Sequence, residues 1–315
     1  MSHKRKQHFS GIGGQAVLEG VMMKHKEDYA VAVRKESGEI EIQKDVFTGV
    51  FGGATIKKIP FVRGGFQLID SMILGMKALT YSTSFYEEEE VKESKMEVLL
   101  SRVFKEKAES ILMGMTITLS FVLAIGMFMI LPYVLSSMLT SYTEHKLLSG
   151  IVEGMVRITI FVGYVSLISL MKDIRRLYQY HGAEHKCINC MEKGLPLTVE
   201  NVMKSSKEHR RCGTSFMLLV MVISIFVFFF ITVENPIYRV IYRIGLLPII
   251  AGISYEVIRL AGKSENLLIR IISVPGMWLQ HLTTKEPDAS MVEVAIASVE
   301  AVFDWQEYLQ EEFGE

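Results

Sequence analysis

The chain of 315 residues is poor in cysteine and in proline, and it has no surplus of either charge. Three Cys are too few, and odd in number, for a disulfide scaffold. Lys+Arg total 34 against 35 Asp+Glu, a formal net charge of −1 with His neutral. Without a basic excess to neutralise phosphates, no nucleic-acid partner is expected. Balanced charge with 50% apolar residues excludes intrinsic disorder. No Gly-Lys-Ser/Thr and no G-x-G-x-x-G follows the early glycines, so no phosphate loop is expected. There is no internal repeat and no low-complexity linker. No apolar stretch follows the basic start MSHKRKQHFSGIGG, so a cleavable signal peptide is not expected either.

What the chain does have is long apolar runs, reflected in a mean hydropathy of +0.28. Ile111 to Leu139 is 29 residues without a charge, and Thr214 to Val233 is 20. Ile151 to Met171 and Ile237 to Leu260 carry charges only near their ends: Glu153, Arg157, Arg239, Arg243, Glu256 and Arg259. A bilayer core takes about 20 helical residues to cross. The two uncharged runs span directly, and the other two span if their terminal charges snorkel to the interface. The expected fold is therefore a mainly α integral membrane protein with about four transmembrane helices. The segment 172–213 holds nine Lys/Arg, whereas the connection between the first two runs holds only Lys146. The positive-inside rule puts 172–213 and both termini in the cytoplasm, in the cytoplasmic (inner) membrane.

Three regions follow. Residues 1–110 form a cytoplasmic α/β region. Its glycine-rich stretch 11–23, GIGGQAVLEGVMM, reads as a loop with close backbone approaches. A β-hairpin spans 29–42, turning at Ser37-Gly38. Phe66, Ile69, Met72, Ile73, Met76 and Leu79 mark an amphipathic helix over 66–80, lying on the membrane surface or on the bundle. Glu87–Glu90 begins a charged helix that continues to 109. Residues 111–260 are the transmembrane region with the cytoplasmic loop 172–213. Residues 261–315 are a cytoplasmic helical tail: Asp288 is a helix N-cap, Val292, Ala295, Ile296, Val299 and Val302 form an apolar stripe, and the acidic last dozen residues fray.

The loop 172–213 also gathers all three Cys and three of the eight His. His181-x-x-Glu184-His185 has the H-x-x-E-H order of inverzincin metalloproteases. On a helix the two His lie one turn apart on one face, able to share a Zn²⁺, with Glu184 beside them as general base. A third ligand would come from His209, Cys212, Glu192, Glu200, Glu208 or Glu256. A second spacing, Cys187-x-x-Cys190 and then His209-x-x-Cys212, is that of a closed structural zinc site. Metal-free packing of thiols and hydrogen-bonded His is a third reading. Any of these needs His181 brought back to Cys212, and Gly182 is the natural place for a bend.

Four stretches in one order, GGQAVLEGVMM, YHGAEHK at 180–186, HRRCGTSF at 209–216 and the late LTTKEPD, resemble the YqhQ-like bacterial membrane proteins over nearly the whole chain. The resemblance implies a metal-dependent enzyme with motif positions His181, Gly182, Glu184, His185, His209, Cys212 and Gly213. Arg210 departs from the proline usual before Arg-Cys-Gly, and Cys187 and Cys190 lie outside the motif. The expected function is a divalent-metal enzyme, zinc first, and of hydrolase type. It would act at the cytoplasmic membrane face on a lipid or membrane protein. Glu184 would be catalytic, His181, His185, His209 and Cys212 would be ligands, and Cys187, Cys190 and Glu256 are further candidates. The competing expectation is a non-enzymatic scaffold for other membrane proteins, and a transporter is disfavoured by the lack of paired Gly/Pro-broken spans.

Overall fold

The structure is a computed structural model that describes residues 7–50, 52, 59–86, 108–139, 146–230, 233, 235–263 and 266–314. The acidic run Glu87–Glu90 and the helix expected after it, to residue 107, lie outside the described residues. The chain divides into two compact units. One comprises Met1–Tyr86, Val165–Val227 and Gly245–Glu315, and the other comprises Glu87–Tyr164 and Phe228–Ile244.

The first unit begins with an antiparallel sheet in the order β1-β2-β3-β4, made of Ile12–Val17, Gly20–His25, Asp28–Arg34 and Ile40–Val46. The hairpin expected over 29–42 is there as β3 and β4, with Gly38 at φ 89 in its turn. The stretch 11–23 is a correction: it is two paired strands, not a loop. Its apolar residues alternate sides. Ile12, Val21 and Met23 enter one core, and Val17 and Met22 enter the other. The β1–β2 turn holds Glu19 at φ 49, and its carboxylate receives the Arg176 guanidinium and the Tyr180 hydroxyl.

Each sheet face is covered. Helix α1 (Val62–Thr83) lays Leu74 and Ala78 on Val17, Met22, Tyr29 and Val31. It runs beyond the expected 66–80 at both ends. Most of its remaining apolar residues, among them Leu68, Met72, Ile73 and Met76, are exposed. The N-terminal end of α1 packs through Gly64 on Gly252 and Tyr255, where Arg63 forms a paired hydrogen bond to Glu256.

The apolar helices follow. Helix α2 (Ala108–Ile125) passes through a π-turn, Gly126–Ile130, into α3 (Leu131–Leu139). The turn falls just before Pro132, which lacks the N–H of a regular helix and crowds the preceding carbonyl. Next come α4 (Lys146–Ile168), α5 (Lys172–Glu192), the short α6 (Val199–Lys204), α7 (Gly213–Phe229), α8 (Pro236–Lys263), α9 (Leu267–Thr283), α10 (Ala289–Glu300) and α11 (Trp305–Phe313). Among the described residues, three stretches are long and apolar enough to cross a membrane: Gly114–Leu139, Leu148–Ile168 and Ile237–Leu260. The fourth expected crossing falls on a shorter apolar helix, Gly213–Phe229, of 17 residues, about 25 Å long and at the lower end of what spans a bilayer. In the second unit, Glu153 accepts from Arg157 at 2.8 Å and pairs with Arg243 at 2.6 Å. Both guanidiniums also lie over the Phe228 ring. The charges in these apolar helices thus pair with one another rather than standing alone.

On its other face the sheet packs against α5 and α10, with Tyr180, Ile188, Met191, Val292, Ala295 and Val299 at the centre. Asp288 caps α10 through the Met291 N–H at 2.9 Å. The expected fraying of the C-terminus is a further correction. Residues 305–313 form α11, capped by Asp304, because Tyr308 and Leu309 are buried and Phe313 packs against Gly194.

Candidate metal centre

Helix α5 is an uninterrupted run of 21 residues through Gly182. The chain turns earlier, where α4 ends at Ile168 and extended Met171 (ψ 135) starts α5. The bend expected at Gly182 is therefore absent. The glycine serves a close approach instead: the Lys285 carbonyl oxygen sits where its Cβ would be. With the helix intact, His181, Glu184 and His185 share one side, as i,i+4 spacing requires.

The segment after α6 carries the third group to this side. Lys186 Nζ donates to the carbonyls of Met203 and Ser205, and Asn189 Nδ2 to those of Ser206 and Glu208. Buried Gln280 on α9 accepts from the His209 N–H at 2.8 Å and donates to its carbonyl at 2.7 Å. Cys212 is thereby held at the entry to α7, where its Sγ accepts the Thr214 N–H.

His181 Nδ1 lies 2.9 Å from the Thr283 carbonyl, and His185 Nδ1 lies 2.6 Å from the Lys207 carbonyl. A carbonyl only accepts, so each Nδ1 carries its proton and each Nε2 is directed inward. One ligand atom each from His181, His185 and Cys212 falls within 4.8 Å of the others. This group can hold a metal ion. Two imidazoles and a thiolate suit a divalent transition ion, and backbone carbonyls on the outer nitrogens are the usual support for metal-bound His.

The electrostatics agree. Burial works against ionisation of His181, but the Cys212 thiolate 3.2 Å away raises it to about 9. Burial likewise opposes a charged Cys212, but His181 and His185 hold the thiol well below its ordinary range. Glu184 is 5% exposed, and burial raises its carboxyl above the usual range. One of its oxygens accepts no hydrogen bond among the described residues. Its carboxylate receives the backbone N–H of Gly14, whose missing Cβ would stand 2.8 Å from Glu184 Cγ.

The other candidates lie outside this group of three, although the His209 ring is 5.6 Å from that of His185. His209 is buried, and its Nε2 faces Glu192 at 3.6 Å. Glu192 also pairs with Arg211 and accepts from the Ser10 N–H and hydroxyl. Cys187 and Cys190 lie in the apolar core between sheet and helices, their thiols pushed up by burial, that of Cys190 to about 11. Glu256 is engaged with Arg63, and Glu200 pairs with exposed Lys204. Sequence reasoning missed Gly14, Gln280 and the Thr283 carbonyl. Gly14 and Thr283 both lie in stretches that carry the family resemblance, and that was the available signal.

Fold and site together define a membrane-associated, mainly helical protein with an N-terminal antiparallel sheet and a buried His/Cys group able to hold a metal. Residues 59–305 match the family described as "Protein of unknown function (DUF1385)", and the chain belongs to that family. It is 36% identical over 289 residues to the Bacillus subtilis (strain 168) protein named "Uncharacterized protein YqhQ", covering 91% of this chain and 90% of that one. The resemblance to YqhQ-like proteins is thus upheld. No solved structure matches the chain.

Proposed function

We propose that this protein is a zinc-dependent hydrolase acting at the cytoplasmic face of the membrane. One observation carries the reading: two inward Nε2 atoms and the Cys212 thiolate converge beside a buried carboxylate with an unused oxygen. Three protein donors leave a coordination position open, which is the catalytic pattern, whereas structural zinc takes four. His209, the nearest further His, turns to Glu192 instead, so the scaffold reading with a closed site has less support.

His181, His185 and Cys212 would hold the ion, which supplies Lewis acidity when bound. Glu184 takes a proton from water as its oxygen bonds to the substrate's electrophilic carbon or phosphorus. It then returns that proton to the departing group, so the net change is addition of H and OH across the cleaved bond. Gly14 fixes the Glu184 carboxylate through its N–H. The membrane location rests on the apolar helices and on α7 beginning directly after Cys212. The cytoplasmic orientation rests on the nine Lys/Arg of 172–213.

The test is elemental analysis of the full chain in detergent, beside hydrolysis assays on denatured polypeptide and on phospholipid vesicles. We expect about one zinc per chain, and turnover that Glu184→Gln abolishes without loss of zinc. Failure to bind zinc, manganese or iron after reconstitution overturns the reading.

A further inference from the structure

Strand β1 is one edge of the sheet, and β4 is the other. The two edges are built differently. β4 carries Glu41, Lys44 and Asp45, charges of the kind that discourage strand addition. β1 is Ile-Gly-Gly-Gln-Ala-Val, with neither charge nor proline. Gly13 and Gln15 on it are exposed. The bare edge is the one beside the His/Cys group.

The direction of its backbone groups follows from register. Val17 pairs with Gly20 across a two-residue turn, so the bonded pairs with β2 are made by Val17, Gln15 and Gly13. Ile12, Gly14 and Ala16 then turn their N–H and C=O outward. Two of these are already engaged as that direction requires: the Ile12 N–H reaches Ser10 Oγ at 3.3 Å, and the Gly14 N–H reaches the Glu184 carboxylate. The carbonyls of Ile12, Gly14 and Ala16 and the Ala16 N–H remain along the edge. Among the described residues no backbone hydrogen bond from outside the sheet reaches them. Gly13 and Gly14 offer no side chain to hold an incoming chain away. Within the group His181 is half-buried, whereas His185 and Cys212 are buried.

We propose that the outer edge of β1 is a substrate-docking edge: an extended polypeptide segment adds to it as a fifth strand and lays one of its peptide bonds beside Glu184 and the His181/His185/Cys212 group. The inference rests on the hydrolase reading and names its substrate class. The chemistry selects a polypeptide over a lipid. The outward carbonyls need donors at strand spacing, with an acceptor for the Ala16 N–H among them. A peptide backbone supplies both in regular alternation, whereas a lipid headgroup carries its donors and acceptors without that repeat.

The experiment uses the full-length, zinc-loaded Glu184→Gln protein in phospholipid nanodiscs. The probes are a library of capped decapeptides, the same library N-methylated at alternate backbone nitrogens, and short-chain phosphatidylglycerol. The readout is amide hydrogen exchange across residues 12–17 by mass spectrometry. The unmodified peptides should slow exchange there, and N-methylation should weaken binding about fivefold per bond lost. Ala16→Pro removes only an outward N–H and should weaken binding to a similar degree, with zinc content unchanged as the check on folding. Equal binding of methylated peptides, protection confined to another segment, or protection by phosphatidylglycerol alone overturns the proposal. Peptide turnover by the wild-type protein that ignores both changes overturns the docking edge and leaves the hydrolase reading standing. Protection of β1 by peptides in a protein that binds no metal does the reverse.

Discussion

The Lys285 carbonyl oxygen occupies the place where a side chain on Gly182 would begin. The contact clamps the segment after α9 onto the middle of α5. A second bond sits beside it, from the Lys285 N–H to the Tyr178 carbonyl at 2.9 Å. Thr283, the last residue of α9 and two before Lys285, supplies the carbonyl that orients His181. Gly182→Ala should push the segment away and destabilise the protein by about 1–3 kcal/mol, the usual range for overpacking. It should weaken zinc binding as well, because His181 loses its support. Thermal unfolding and zinc titration of the variant check both effects. Wild-type behaviour in the two would refute the account of this glycine.

The two groups of cysteine separate in a metal assay. His181→Ala, His185→Ala and Cys212→Ser each remove a converging ligand atom, and each should bring zinc from about one per chain to near zero. Cys187→Ala alters core packing, and Cys190→Ala also removes weak thiol bonds to the Leu195 and Pro196 carbonyls; both should leave zinc content unchanged, with a modest loss of thermal stability. Zinc loss in the Cys187 or Cys190 variant would restore the closed four-ligand site.

Thiol chemistry should separate them again. The neighbouring His181 and His185 favour the Cys212 thiolate in the metal-free protein, and burial keeps Cys187 and Cys190 protonated. Thiolate is the reactive form. Iodoacetamide at neutral pH, followed by peptide mapping, should modify Cys212 first, and zinc should suppress that reaction. Faster labelling of Cys187 or Cys190 would contradict the assigned charges.

Acid stability should depend on Glu192. Burial disfavours its charge, but the His209 hydrogen bond and the Arg211 charge outweigh burial and hold it at about 2, below an ordinary 4.5. A carboxyl depressed on folding contributes stability above the ordinary value, which is lost as pH falls from about 4.5 towards 2; here up to about 3 kcal/mol is at stake. Thermal melts across that window should show wild type losing stability faster than Glu192→Gln, with the two curves converging at the acid end. Parallel curves would show that the Glu192 pair adds nothing.

Much of this architecture was legible along the chain. The β3–β4 hairpin, the apolar helices, the Asp288 cap and the α10 stripe are local matters of period-2 or period-3.6 alternation and capping chemistry. The grouping of His181, Glu184 and His185 on one side of a helix was legible for the same reason, as i,i+4 spacing needs only an unbroken helix. The strands at 12–25 were not legible. Four glycines in 11–23 signal a loop, and only pairing with β3 and burial on both faces override the signal. The C-terminal helix was hidden likewise: its acidic composition suggests fraying, whereas Tyr308, Leu309 and Phe313 bury against distant parts of the chain.

By itself, then, the sequence determined that the chain is a membrane-associated helical protein with a sheet near its start and a His/Cys-rich segment between apolar helices. Hydropathy, periodicity and charge act over a few residues and are written in order along the chain. The choice among the candidate ligands was left to tertiary structure. His209 and Cys212 are three residues apart, yet one meets Glu192 and the other meets His181. Cys187 lies on the same helix as His185, but it turns into the apolar core. Those outcomes depend on which distant carbonyl, carboxylate or glycine each side chain faces. The packing of β1, α9 and the 205–211 segment around α5 decides that, and no local spacing encodes it.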